Sequence, residues 1–372
     1  MLGVYVHLPF CPYLCPYCDF AKWPIRESAA REYLAALDAE ISAVTPQPAA
    51  TIYLGGGTPN AYDPNRIAAL LKRLTNRFRG AQEISIEVNP ELVHADDLRR
   101  YRGAGITRLS IGVQSFEPNE IRVLGRKHVA NDVRCVVAAA RAAEFDSISL
   151  DLMFAVPGQT PASWQRSLAA ATGLEVDHVS AYGLTVEEGT PYAAWRAREP
   201  GAFADDAAEA ELYGIAIETL GRAGYRQYEI SNFARPGHEC RHNLNYWANG
   251  EYIGLGVGAA SYRNGVRSVH TRSRSDYVAA ALAGDSIPVH AERLEGAKRT
   301  GEALMLALRT SQGVRLGDFK ERYGIDVIET YAPVISRFTS TGLLEHADGA
   351  VRLTVRGRFL ANDVCGAFVT FE

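Results

Sequence analysis

Short apolar, β-branched runs alternate with longer stretches of helical spacing along the first half of the chain. Each short run has the length of a buried strand and ends in Gly, Pro or a polar residue. The stretches between them, such as 29–43, 67–78 and 132–143, are rich in alanine. Six such units predict an α/β fold with a parallel sheet and right-handed crossovers. The predicted strands are 4–8, 51–54, 83–88, 108–113, 147–154 and 178–184.

Polar residues and glycines follow these predicted strands at the point where each one ends. The clearest is the run GGGTP at 55–59, whose adjacent glycines would let a ligand approach the backbone closely. A (β/α) barrel and a doubly wound sheet both build their sites at the carboxyl ends of parallel strands. The pattern therefore predicts a site at this edge but leaves both architectures open.

The second half of the chain has a different pattern of predicted elements. Residues 225–262 read as further strands and loops, including the glycine-rich segment 254–261. Beyond about 291 we expect helices over 296–308 and 324–340 and a wing-like strand over 351–355. These patterns predict three parts: a core over 1–225, an associated segment over 226–290 and a winged-helix-like domain over 291–372. Because its charge is mixed, that domain is expected to pack or to dock a partner rather than to bind DNA.

Composition and charge argue against some classes of function. The 372 residues are 47% hydrophobic and 22% charged, with a formal net charge of -4. A chain without a positive field is not expected to bind nucleic acid or an acidic membrane surface. The first residues carry no basic segment, and their apolar run stops at Pro9, so neither a signal peptide nor a membrane span is expected. The expected location is the cytoplasm.

Three of the six cysteines, Cys11, Cys15 and Cys18, lie within eight residues, whereas the others are far apart. This distribution favours a metal site over a disulfide framework. Three thiolates alone cannot complete a four-coordinate zinc site, although a Cys3His site that recruits His7 or a distant ligand stays open. A [4Fe–4S] cluster normally takes four cysteines, so three would leave one iron free for another ligand.

The cysteine spacing, with Tyr17 directly before the third cysteine, resembles the signature of the radical S-adenosylmethionine (SAM) superfamily. The GGGTP run and the order of the other polar residues resemble its coproporphyrinogen-oxidase-like branch. This resemblance implies a partial (β/α)6 radical SAM barrel, a [4Fe–4S] cluster on the three cysteines and SAM on the open iron. It implies SAM contacts from Tyr5, Tyr17, Gly56, Gly57, Thr58, Glu87, Gln114, Arg126, Asp151 and Ala260.

Three features separate the members of that branch. Coproporphyrinogen dehydrogenases carry a further cysteine where this chain has Phe20, and they have a long N-terminal extension that this sequence does not show. The segment 242–247 reads HNLNYW and is similar to the HNxxYW motif of HemW-type heme chaperones. The resemblance implies heme contacts from His242, Asn243, Tyr246 and Trp247, with the His242 imidazole as a natural axial ligand.

The implied function is a heme chaperone that binds heme and passes it to an acceptor hemoprotein, with a membrane location for that acceptor left open. The rival is a radical SAM enzyme, either a porphyrin oxidase or a methyltransferase. Coproporphyrinogen III dehydrogenation is not expected. Two departures from the family pattern stand out: Phe154-Ala155 replaces the more usual Tyr-Gly, and Cys240 precedes the motif without a transferable role. Cys135 and Cys365 likewise have no assigned role.

Overall fold

The structure is a computed structural model, and it describes residues 1–369. Its centre is a twelve-stranded mixed sheet, in which the six predicted units supply six adjacent parallel strands. The predicted strands are confirmed to within two residues at either end. We number the strands of three or more residues in chain order: β1 Leu2–Leu8, β2 Thr51–Gly56, β3 Glu83–Val88, β4 Arg108–Gln114, β5 Ser147–Phe154 and β6 His178–Gly183.

Helices cover the outer face of these strands. Their bounds in the first part of the chain are α1 Glu27–Ala43, α2 Pro64–Arg77, α3 Ala95–Gly103, α4 Pro118–Val123, α5 Ala130–Ala142, α6 Pro161–Thr172, α7 Pro191–Arg198 and α8 Asp206–Arg222. Those that follow are α9 Arg241–Trp247, α10 Arg274–Ala283, α11 Gly296–Leu308, α12 Leu316–Tyr323, α13 Val327–Thr330, α14 Ala332–Ser340, α15 Val355–Phe359 and α16 Ala361–Val369.

Each parallel strand alternates between apolar and polar residues. In β5, Ile148, Leu150 and Leu152 are buried in the main hydrophobic core, whereas Ser149 and Asp151 line an internal cavity. Successive side chains of a strand point to opposite faces, so one face packs on the helices and the other forms a polar interior. The barrel is therefore polar inside, unlike one filled with branched apolar side chains.

The sheet continues beyond both edges of the six-stranded unit. On one side β1 pairs in parallel with β8, and on the other β6 pairs antiparallel with β7. Within residues 1–369, β1 and β6 do not pair with each other, so the barrel is partial, as the resemblance implied. The additional strands are β7 Asn232–Ala234, β8 Glu251–Leu255, β9 Ala260–Arg263, β10 Val266–His270 and β11 Val289–Arg293.

A second hydrophobic core follows, built from residues between Ala303 and Phe368. It contains α11 to α16 and a small antiparallel sheet of Val314–Arg315, β12 Leu344–Ala347 and β13 Ala350–Leu353. The C-terminal helical domain is thus confirmed. The single helix expected over 324–340 is wrong, because the chain forms α13 and then restarts as α14 with a proline in its first turn.

The three predicted part boundaries stay predictions. β11, which spans the expected boundary at 291, pairs with β10 of the main sheet. Among the described residues, each helix is too short or too polar to cross a lipid bilayer.

Candidate cofactor site

A cavity of about 390 Å³ opens at the carboxyl ends of the parallel strands and extends into the barrel interior. The strands β2 to β6 and the loop after β1 contribute to its walls. Twelve of the residues selected from sequence line it: Cys11, Cys15, Tyr17, Cys18, Gly56, Gly57, Thr58, Glu87, Gln114, Arg126, Asp151 and Asn243.

The cysteine loop is held at the mouth of this cavity by its two ends. The backbone N–H of Trp23 donates to the Pro9 carbonyl at 3.0 Å, and the N–H of Ile25 donates to the Cys11 carbonyl at 2.9 Å. Burial raises the pKa of the Cys11 thiol to about 11 and also raises the pKa of Cys18. All three cysteines line the same cavity, and a metal that binds there would displace the protons of the Cys11 and Cys18 thiols.

The three thiols are not arranged for a single ion. Among residues 1–369, no group of three or more His, Cys, Asp or Glu side chains could hold one metal ion. A four-iron cube binds each thiolate through a different iron, so its ligands stand further apart than those of one ion. The open, three-thiol arrangement is consistent with a cluster and does not fit a closed zinc site.

Gly56 at the end of β2 and Gly57 after it allow close contact with the segment that leads into the cysteine loop. A Cβ on Gly57 would lie 2.6 Å from the Leu8 carbonyl oxygen, and one on Gly56 would lie 2.3 Å from His7 Nδ1. The Gly57 N–H donates to that same Leu8 carbonyl at 2.8 Å, and the Thr58 N–H donates to the Phe10 carbonyl at 3.0 Å. The missing side chains thus let two backbone segments meet directly, which fixes where the cysteines start.

Two half-buried carboxylates face the cavity, one from β3 and one from β5. Glu87 accepts hydrogen bonds from the Tyr53 hydroxyl at 2.9 Å and the Gly56 N–H at 3.1 Å. Burial raises the pKa of Glu87 to about 7. Asp151 accepts from the Ser110 hydroxyl at 2.9 Å and the Ser180 hydroxyl at 2.8 Å, and burial raises its pKa as well. Both carboxylates are held rigidly, with further acceptor capacity toward the cavity.

Arg126 supplies the positive charge at the mouth. Its Nη2 donates to the Asn89 side-chain oxygen at 2.9 Å and to the Gly112 carbonyl. Its Nε is buried and has no partner among the described residues. Gln114 beside it adopts φ +65°, a left-handed conformation, at a register shift that ends β4. An unpartnered guanidinium donor beside three thiols and two carboxylates fits a ligand with an anionic group and hydroxyls, as SAM has.

Tyr5 and Ala260 do not line this cavity. They line a second one of about 580 Å³, which Phe20 of the cysteine loop separates from the first and also borders. The Tyr5 hydroxyl lies 3.0 Å from His7 Nδ1, and His7 Nε2 lies 2.8 Å from the Ala21 carbonyl. Because that carbonyl can only accept, His7 carries its proton on Nε2 and accepts from Tyr5.

The HNLNYW segment forms α9, a short helix at the opposite end of the barrel. It contacts β1, β2 and β8, and Glu83 at the start of β3 accepts hydrogen bonds from the backbone N–H groups of Arg241 and His242. A carboxylate at a helix N-terminus satisfies free N–H groups and opposes the helix dipole. Glu83 therefore anchors the helix beneath the barrel interior.

His242 is enclosed rather than presented to solvent. Its side chain is 1% exposed, with Nδ1 2.8 Å from the Thr51 hydroxyl and Nε2 2.8 Å from the Tyr246 hydroxyl. Burial lowers the pKa of His242 to about 3, so the imidazole is neutral. Heme ligation by His242 stays a prediction, and it requires the ring to give up one of these two hydrogen bonds.

The four residues selected for heme contact do not share one surface. Asn243 lines the first cavity, Tyr246 lines the second, and Trp247 lines a third of about 820 Å³ against the C-terminal domain. The Trp247 indole N–H is buried without a partner among the described residues, and Arg309 lies over the ring at 5.2 Å. A single planar porphyrin cannot contact all four in this arrangement.

Sequence reasoning missed the polar side chains deeper in the barrel. Arg108 is 3% exposed and donates to the Ser147 hydroxyl at 2.8 Å and the His238 carbonyl at 3.0 Å. His178 lies 2.8 Å from the Ser149 hydroxyl, and burial lowers its pKa. These residues could have been found from the sequence. Each lies two positions from another interior residue on its strand, and side chains on one face of a strand repeat every two residues.

Cys240 and Ala155, the two departures from the family pattern, have identifiable surroundings. The Cys240 sulfur lies 3.6 Å from the Glu83 carboxylate, and burial raises its pKa to about 12, so it is an inert thiol at the cavity floor. Ala155 has φ +60°, a left-handed conformation that favours glycine. Cys135 is exposed, and Cys365 is buried in the second core.

The comparisons with known proteins agree with this geometry. Residues 5–171 match the model of the radical SAM superfamily, and residues 297–360 match that of the HemN C-terminal domain. Coproporphyrinogen III oxidase (HemN) from Escherichia coli has the same fold, with a TM-score of 0.86 and 24% identity over 100% of this chain and 90% of that one. The chain therefore contains a radical SAM domain over residues 5–171.

Its relatives define the family more narrowly. The heme chaperone HemW of Bacillus subtilis is 36% identical over 99% of both chains. The heme chaperone HemW of Mycobacterium tuberculosis is 37% identical over 97% of this chain and 93% of its own. The chain belongs to the HemW family.

Proposed function

We propose that this protein is a heme chaperone that binds heme and passes it to an acceptor hemoprotein in the cytoplasm or at the membrane. The observation that carries the proposal is the 36% identity to a heme chaperone along 99% of both chains. The net charge of -4 gives no support to a nucleic-acid partner.

The proposed resident cofactors are one [4Fe–4S] cluster and SAM in the first cavity. Cys11, Cys15 and Cys18 would hold three irons, leaving the fourth to the amino and carboxylate groups of SAM. When bound, the cluster would supply an open iron position to which SAM coordinates. Arg126 would receive the SAM carboxylate on its unpartnered Nε.

The remaining SAM contacts follow from the walls of the same cavity. Glu87 and Asp151 would accept hydrogen bonds from the ribose hydroxyls. Tyr17, Gly56, Gly57, Thr58 and Gln114 would border the ligand. Tyr5 and Ala260 would touch SAM only if it extends past Phe20 into the second cavity.

Phe20 argues against coproporphyrinogen III dehydrogenation. It stands where dehydrogenases of the branch carry a further cysteine, and its side chain is 60% exposed between the two cavities. A phenyl ring supplies no thiol for redox or radical chemistry. Coproporphyrinogen III given with SAM and a reductant should therefore be recovered unchanged.

Transfer of heme tests the proposal. The anaerobically reconstituted chain is loaded with heme and mixed separately with apomyoglobin and with heme-depleted membrane vesicles that contain apo-cytochromes. We expect heme to move to one of these acceptors faster than it dissociates into buffer that contains only a heme-scavenging albumin. Equal rates for all acceptors would show passive release and contradict a delivery function.

The alternative is a radical SAM enzyme, and the polar barrel interior favours it. Arg108, Ser149 and His178 line the interior beyond Asp151, where a substrate could lie next to SAM. An enzyme would form 5′-deoxyadenosine in proportion to a modified substrate. A chaperone would bind heme and leave SAM uncleaved under the same reducing conditions.

A further inference from the structure

The second cavity has the composition of a porphyrin site. It lies between β1, β8 to β10 and helix α11 of the C-terminal domain, and its volume of about 580 Å³ is in the usual range for small-molecule sites. Its walls include four phenol or phenyl rings, the His7 imidazole, one thioether, two guanidinium groups and the carboxylates of Asp19 and Glu302. The phenol and phenyl rings belong to Tyr5, Phe20, Tyr246 and Tyr252, and the guanidinium groups to Arg267 and Arg272.

Resting on the proposed function, we infer that this second cavity is the heme site and that the Tyr246 phenol is an axial ligand of ferric heme iron, with His242 as the positioning residue behind it. Phenolate is an established axial ligand of ferric heme, and a hard oxygen donor favours Fe(III) over Fe(II). Tyr246 is the member of the HNxxYW motif that lines this cavity.

His242 can form a hydrogen bond with the Tyr246 oxygen whether that oxygen is a phenol or a phenolate. Its two nitrogens face two hydroxyls, Thr51 at 2.8 Å and Tyr246 at 2.8 Å, and each hydroxyl can donate or accept. With the proton on Nδ1, the ring accepts from the phenol. With the proton on Nε2, it donates to a phenolate, while Thr51 donates to Nδ1.

Iron binding is then a balanced step. The Tyr246 O–H bond breaks and its proton passes to His242 Nε2, while the Nδ1 proton is released in exchange. An O–Fe(III) bond replaces the bond between the ferric iron and an axial water. The imidazole stays neutral throughout and exchanges one tautomer for the other. The iron remains ferric, so no electron donor is required. This arrangement explains why a buried, fully hydrogen-bonded histidine is part of a heme motif.

The other walls of the second cavity offer contacts for the porphyrin ring and the propionates of heme. Tyr252 packs edge-on to Tyr246 with ring centroids 4.7 Å apart, and the exposed Phe20 ring offers a face beside the cysteine loop. Arg267 is already paired with Glu302 at 2.7 Å. Arg272 donates to the Asp19 carbonyl and forms no salt bridge within residues 1–369, which leaves it free for a heme propionate.

The test is a titration of the full-length, cluster-reconstituted chain with ferric and then ferrous heme. Tyr246→Phe should abolish the phenolate-to-iron charge-transfer band and weaken ferric heme binding about tenfold or more, with ferrous binding changed much less. Tyr101→Phe, which changes a tyrosine of α3 that lines none of the three cavities, is the matched control and should leave both spectra unchanged.

The histidine variants separate a positioning role from direct ligation. His242→Ala should keep the phenolate band but move its appearance to higher pH, and His242→Gln should restore part of that shift. An imidazole-type spectrum that survives Tyr246→Phe and disappears in His242→Ala would overturn the inference and make His242 the ligand. If Tyr246→Phe does not fold, ring-deuterated tyrosine in the unchanged sequence must shift the iron–phenolate Raman modes; unshifted modes exclude tyrosine ligation.

Arg272→Gln supplies a measurement that does not depend on the axial ligand. The variant should bind heme more weakly but bind heme dimethyl ester, which lacks free carboxylates, as well as the unchanged chain does. Equal loss for both ligands, or for neither, would contradict a propionate contact at Arg272. If the unchanged chain binds no heme at all, the result contradicts the proposed function as well as this site.

Discussion

The carboxylate of Glu83 accepts the backbone N–H of His242 at 2.9 Å, joining the start of a barrel strand to a helix formed much later in the chain. The Arg241 N–H reaches the same carboxylate at 3.0 Å. One acidic side chain thus satisfies two free N–H groups of α9 and holds the helix that presents Tyr246 to one cavity and Asn243 to another.

Glu83→Gln should destabilise the fold. The amide offers one acceptor and no negative charge to the helix N-terminus, so we expect a loss of about 1–2 kcal/mol in the free energy of unfolding by denaturant titration. Glu239→Gln is the control, because the half-buried Glu239 carboxylate also accepts one backbone N–H but lies outside the helix. A loss of the same size in both variants would contradict the anchoring role of Glu83.

Cys15→Ser should remove the cluster from anaerobically reconstituted protein. We expect about four irons and four sulfides per chain in the unchanged sequence and little of either in the variant, since each thiolate binds its own iron. Cys135→Ser changes an exposed cysteine on α5 and should keep full iron content. Full iron content after replacement of Cys11, Cys15 and Cys18 together would exclude this site.

Glu87 should make the ligand-free fold less stable as the pH rises. Its pKa is about 7 in the folded protein against an ordinary value of 4.5, so the folded state binds the extra proton between these values. The contribution of Glu87 to the free energy of unfolding is fully present below about pH 4.5. It is lost as the pH rises through 7, and the loss reaches about 3 kcal/mol. Glu87→Gln should therefore gain stability relative to the unchanged chain as the pH rises from 5 to 8.

The surface variant Glu188→Gln is the control for this pH series. It replaces an exposed carboxylate by an amide, so it measures the effect of that substitution alone at each pH. A Glu87→Gln curve parallel to the unchanged curve would show that Glu87 does not titrate in this range.

Ala155→Gly should stabilise the protein. Ala155 has φ +60°, where a side chain costs about 1 kcal/mol that glycine avoids. We expect a gain of roughly 0.5–1 kcal/mol by thermal or denaturant unfolding. Ala138→Gly, in the exposed middle of α5, should instead lose about 1 kcal/mol through helix propensity. A loss of stability in both variants would show that the residue 155 backbone is not strained.

The strands and the cavity mouth were predictable from sequence because they depend on local patterns. Strand composition predicted β3 and β5 to the residue, and the cysteine spacing predicted the loop that borders the cavity. The polar alternation at Ser110, Ser149 and Ser180 was also present in the sequence, but it was hidden by the apolar residues between them. Read with a period of two, it would have predicted the partners of Asp151.

The arrangement of α9 could not be predicted in the same way. Glu83 and His242 meet only because the chain returns beneath the barrel, and no local pattern encodes that return. The HNLNYW residues are adjacent in sequence, yet a short helix directs their side chains into three different cavities. A sequence motif therefore indicated the family without indicating which of its residues face a ligand.

The most direct test of a heme chaperone is one anaerobic titration of the reconstituted chain with heme, in the presence of SAM and a reductant, with 5′-deoxyadenosine measured in the same sample. We predict saturation at about one heme per chain, with 5′-deoxyadenosine remaining at the level of a protein-free control. Absence of saturable heme binding, together with 5′-deoxyadenosine formed in proportion to a consumed porphyrin, would contradict the proposal and identify an enzyme.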